Sequence, residues 1–157
     1  MRIDILAFQY WAGVGRQEDL ESWVAGELHN DAPHPKACSL LSTKEYEEQE
    51  LALLEIAYER CGFEPVSELG GKWAKNLLLH YCQRLLQGNM KPHQFCEFVN
   101  MLEVKIIDGP LFGKNTGYYP EWLFSVVNDC DWCDKSWTTA NSPHLAEAAW
   151  KLLADET

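Results

Sequence analysis

Cys130 and Cys133 stand at the one Cys-x-x-Cys spacing in the chain, inside the stretch Val126–Asp134, VVNDCDWCD. Three chemistries use cysteines and acids in such a pattern: thiol redox, metal ligation and recognition of a basic partner. Redox exchange needs a thiolate at neutral pH, supplied by a helix N-terminus or a nearby cation. Here both cysteines fall late in a helical pattern, at the negative end of its dipole, and Asp129, Asp131 and Asp134 oppose a thiolate further. Only Lys135 favours it, and no βαβ pattern surrounds the pair. The spacing therefore does not predict a redox centre.

Zinc is the stronger rival. His93-x-x-Cys96 and Cys130-x-x-Cys133 would each place two ligands on one side of a helix, giving four in all. Against it, a long irregular stretch separates the halves, and His93 sits with Glu97 and Asn100. His80 and Cys82 cannot substitute, because positions two apart on a helix diverge by roughly 200°. The six cysteines, at 38, 61, 82, 96, 130 and 133, are scattered in a chain of 157 residues. They read as reduced thiols, several in apolar periodic stretches. No metal or other cofactor is assigned, and zinc held by the Cys/His set is kept as the alternative.

Recognition makes use of the carboxylates instead. Asp129, Asp131, Trp132, Asp134 and Trp137 combine aromatic contact area with groups that pair with Lys or Arg. A second acidic row, Glu45, Glu48, Glu55 and Glu59, falls on one side of a helical pattern, and Glu48, Glu55 and Glu59 join the first set as partner-binding candidates. The competing structural reading puts both Trp residues in the core and lets the aspartates end a helix. Catalytic signatures are missing: there is no Gly-x-Ser-x-Gly, His-Glu-x-x-His or Glu-x-x-His. Gly70-Gly71-Lys72 is a poor phosphate loop, with Val66 where the first glycine belongs and Trp73 in place of Ser or Thr. No catalytic residue is assigned and the chain is not read as an enzyme.

Charge points to the same class of partner. Thirteen Lys and Arg face 24 Asp and Glu, a formal charge of −11. Such a surface repels nucleic acid and anionic membrane and attracts a basic protein or a cation, while also serving solubility. The apolar runs fall far short of the ~20 residues of a membrane span. Asp4 interrupts the short N-terminal apolar patch, which does not read as a secretory signal, so a cytoplasmic location is expected.

The elements that must position these residues are amphipathic helices. With 46% hydrophobic residues and seven Trp, the composition supports one packed domain spanning 1–157. Ser42 and Glu45 form a capping-box pattern ahead of a helix that Gly62 closes. Leu53, Leu54, Ala57, Tyr58 and Cys61 are its expected buried stripe. A second helix runs from Trp73 to Gln87, stopping at Gly88-Asn89, with Trp73, Leu77, Leu78, Tyr81, Cys82, Leu85 and Leu86 inward. A third starts near Lys91-Pro92 and buries Phe95, Phe98, Val99 and Leu102. Tyr119-Pro120 opens a fourth, with Trp122, Leu123, Val126, Val127 and Cys130 inward. Asn141-Ser142-Pro143 caps a last one along Leu145, Ala148, Ala149 and Leu152, widened by Trp150 and Leu153. Residues 18–28 are helical, 31–37 form a connector, and the first ten are ambiguous between helix and strand. The expected fold is an all-α, single-domain bundle of about five to seven helices, with one long loop near 104–119 that includes a short extended piece at 104–107.

Two segments, WAKNLLLHYCQRLLQGNMKPHQFCEFVN and WLFSVVNDCDWCDKSW…SPHLAEAAWKLL, resemble the closing half of small acidic bacterial helical proteins of immunity type. The resemblance is one of pattern and carries no diagnostic motif. It implies a toxin antagonist that covers the active site of a basic toxin, such as a nuclease. The oligomeric state is left open.

Overall fold

The structure, a computed structural model, describes residues 1–67, 70–107 and 119–156. Among them are eight helices and no strand: α1 (Ile3–Trp11), α2 (Gln17–Leu28), α3 (Ala37–Leu40), α4 (Tyr46–Cys61), α5 (Gly70–Leu86), α6 (Pro92–Ile107), α7 (Glu121–Asp129) and α8 (Pro143–Ala154). The all-α expectation is met. The chain divides into two compact units, Met1–Trp73 and Ala74–Thr157, with the boundary inside α5.

In the first unit the ambiguous N-terminal segment is helical. Leu6, Ala7, Phe8 and Tyr10 of α1 are buried, and α1 packs chiefly against α4. Asp4, which breaks the apolar run in the sequence, is also buried, and Arg2 donates to it from Nε at 3.0 Å. Phe8 meets Phe63 edge-on at 6.1 Å, and Phe63 in turn meets Trp73 at 5.0 Å. Each such buried side chain contributes about 1.5–3 kcal/mol. Tyr46 stacks on Tyr10 with centroids 4.8 Å apart, donates its hydroxyl to the Tyr10 carbonyl and accepts from Gly15 N–H. Gly15 has no room for a side chain, because a Cβ there would lie 2.3 Å from the Tyr10 ring.

Two expectations for α4 are corrected. The helix begins at Tyr46 with Glu45 at the N-cap, and no side chain caps it. Ser42 and Thr43 instead donate to the Ser39 carbonyl, both at 2.9 Å, so the preceding turn takes the hydroxyls that the capping box needed. The buried stripe is Gln49, Leu53, Ile56 and Ala57, whereas Tyr58 and Cys61 are exposed. The stripe that packs on α1 is thus rotated from the expected one by about one position. Gly62 does close the helix, in the left-handed conformation at φ +66°.

In the second unit Leu77, Leu78, Tyr81, Cys82 and Leu85 of α5 are buried, as are Phe95, Phe98, Val99 and Leu102 of α6. Tyr81 and Phe98 join these faces, with ring centroids 4.1 Å apart. Helix α6 runs on to Ile107, so residues 104–107 are helical, not extended. The rest of the expected long loop, 108–118, lies outside the described residues. Helix α7 packs on α6 and α8; its Leu123 and Val126 are buried, as are Leu145, Ala149 and Leu152 of α8. Trp150 does not widen that stripe but faces solvent. Ser142 sits at the N-cap of α8 and Pro143 at its first position, yet the Ser142 hydroxyl donates backward to the Thr138 carbonyl.

Candidate functional site

The features of the Cys-x-x-Cys segment follow from how α7 ends. Cys130 is its C-cap, and Cys133 N–H donates to the Cys130 carbonyl at 3.1 Å, closing a tight turn. The turn forces Trp132 to φ +67°, the one positive φ among described non-glycine residues. For a bulky side chain that conformation is strained by about 1–2 kcal/mol. Packing does not compensate, since Trp132 is 93% exposed. Asp131 and Asp134 are exposed on either side and Asp129 is half-buried. The carboxyl of Asp134 accepts from the Ser136 hydroxyl and N–H, which hold it below the usual carboxylate range. Trp137 is not part of the exposed set: it is half-buried, edge-on to His144 at 5.0 Å.

The same turn carries the sulfurs inward. Cys130 is buried and Cys133 half-buried, and Cys96 of α6 is within hydrogen-bonding reach of both. The contact with Cys130, together with burial, pushes the Cys96 thiol well up. Burial and Cys96 push Cys133 up to about 12. These are thiols held protonated, the opposite of a redox nucleophile. His93 is half-buried, with Nδ1 lacking a hydrogen-bond partner among the described residues. Among those residues no three or more His, Cys, Asp or Glu side chains are gathered in an arrangement that could hold a metal ion.

Asp129 also lines a cleft of about 770 Å³ between α7 and α8. Glu121, Glu147 and Asp155 contribute three further carboxylates, against Lys75 and Lys151. Both lysines are engaged within the unit: Lys151 pairs with Glu147 at 3.0 Å and Lys75 with Glu156. Trp122 gives the cleft an aromatic wall, and His144 donates from Nε2 to the Asp129 carbonyl at 3.1 Å. Asp129, which lines the cleft, directly precedes the Trp132 turn in the chain.

The second acidic row lies in the first unit. Glu48, Glu55 and Glu59 are all exposed on α4. Two of them already have partners: Glu55 pairs with Lys36, and Glu59 accepts from His34 Nε2 at 2.8 Å, which holds its carboxyl low. The 31–37 connector thus lies along the ridge and supplies both of these partners. Sequence reasoning missed the residue that anchors that connector. Glu27 of α2 is buried, accepts from Arg60 Nη1 at 2.8 Å and from His34 N–H at 2.8 Å, and also receives Asn30 Nδ2 at 3.1 Å. A glutamate at an inward helical position, with Arg60 on a helix that follows, was the available signal.

No protein family, curated protein or solved structure matches the chain.

Proposed function

We propose that this chain is a cytoplasmic binding protein for a basic partner protein, in the manner of an immunity protein that neutralises a toxin by covering its active site. The observation that carries this reading is Trp132, a large aromatic exposed in a strained conformation among Asp129, Asp131 and Asp134. Strain without burial does not serve folding, and it is a feature of sites where a side chain is presented to something else. Trp at the centre of a contact surface supplies area at low entropic cost, while surrounding carboxylates steer a cationic partner and fix its register. The acid-lined cleft beside the turn can receive a Lys or Arg side chain from that partner.

The test is retention of proteins from the native source on immobilised chain. A basic protein is expected to bind at about 0.05 M salt, to be released as salt rises toward about 0.5 M, and to be lost on Trp132→Gly. Retention of no basic protein, or retention indifferent to both changes, would overturn the reading. A second reading, a small helical zinc protein using Cys130, Cys133, His93 and Cys96, has against it that no such group among the described residues is arranged to hold a metal ion. Metal analysis of protein purified without chelator separates the two, because one zinc per chain would favour the second.

A further inference from the structure

We infer that the outer face of α4 and the segment after it form a docking groove for an amphipathic basic helix of a partner protein. This rests on the reading above for the sign of the partner's charge and adds the form of the partner and a second surface. Leu51 and Tyr58 lie two turns apart on α4, 66% and 57% exposed, and Val66 beyond the helix is also exposed. They line a cleft of about 540 Å³ together with Phe63, which is itself buried. Apolar side chains left in water at helical spacing, around a preformed cleft, match the anchors of a helix lying in a groove.

The rim decides the occupant. Glu55, Glu59 and Glu64 are the charged residues that line this cleft, and all are exposed. Glu64 has no ion pair among the described residues, Glu55 pairs with the half-exposed Lys36, a surface pair that a ligand's cation can replace, and Glu59 accepts from the largely buried His34, which stays in place. A second copy of the chain fits poorly, since each copy carries a formal charge of −11. A helix with Leu at one seam and Lys or Arg beside it satisfies both the apolar floor and the acidic rim.

The experiment uses the full chain and a labelled synthetic helix with Leu at positions i, i+3, i+7 and Lys elsewhere, read by fluorescence anisotropy. Saturable binding in the micromolar range is expected, weakened at least about tenfold by Leu51→Ser or Tyr58→Ala and within about twofold of the parent for Trp132→Gly. Two controls, a Lys/Ser peptide of equal charge and a Leu/Glu peptide, are expected not to bind. Because both substituted side chains are exposed, the variants should keep the parent's helical circular dichroism, which is checked alongside. No saturable binding, equal binding of the Lys/Ser peptide, or indifference to the α4 substitutions would overturn the proposal. So would a concentration-dependent dimer abolished by Leu51→Ser, which assigns the groove to a second copy. The assay needs no native partner. Its failure removes the groove and leaves the Trp132 surface standing, whereas failure to find a basic partner in the native source leaves a positive peptide result intact.

Discussion

Glu27 is the residue on which the first unit's internal electrostatics depend. Its buried carboxylate gathers Arg60, the His34 N–H and Asn30, so α2, the connector and α4 meet at one charge. The Arg60 hydrogen bonds hold its pKa below the ordinary 4.5, against the opposing effect of burial. A carboxyl whose folded pKa is depressed contributes stability above the unfolded value and loses it as pH falls through the folded one. The first unit should therefore lose stability as pH drops below about 4.5, and Glu27→Gln should flatten that part of the profile in denaturant melts from pH 3 to 7. Near neutral pH, Arg60→Ala, which leaves the buried carboxylate short of donors, should cost about 1–3 kcal/mol. The thiols give a second residue-scale test. Cys38 is exposed, while Cys82 and Cys96 are buried with raised pKa values. In a disulfide-exchange assay at pH 8, Cys38 should react first, and Cys82 and Cys96 only once the chain unfolds.

At the scale of elements, helix ends are set by backbone conformation more than by side-chain caps. Gly62 ends α4 at φ +66°, and a Cβ there would meet nothing within 4 Å. Gly62→Ala should thus lower stability by the strain of a left-handed L-residue alone, about 1 kcal/mol, read as a lower denaturation midpoint at unchanged slope. That glycine was legible in the sequence, as were the apolar faces of α5 and α6, because a wide stripe over four turns leaves one way to face a core. The start of α4 was not legible. Ser42 and Thr43 compete for a nearby carbonyl, and three-dimensional context decides which turn takes them. The stripe of α4 misled for a related reason: Tyr58 and Cys61 are apolar enough to continue the period, but the outer groove rather than the core holds Tyr58. The candidate site was half legible. Its acids and its aromatic could be seen in VVNDCDWCD, but the left-handed turn that exposes Trp132 and draws both sulfurs toward Cys96 depends on how α7 meets α6.

At the scale of the molecule, the proposed function makes the net charge act more on how fast a basic partner arrives than on how long it stays. A formal charge of −11 creates a long-range field that raises the encounter rate with a basic protein. That field is screened within about 10 Å at 0.1 M salt, whereas contacts made by Trp132 or in the α4 groove act only after docking. The two contributions should therefore separate in kinetics. Raising salt from about 0.02 to about 0.3 M should slow association by one to two orders of magnitude while changing dissociation little. Trp132→Gly should do the reverse, speeding dissociation and leaving association near its parent value, because it removes contact area without altering charge. Stopped-flow measurement of both rates against a basic partner checks this. An association rate indifferent to salt would mean that the acidic surface serves solubility alone.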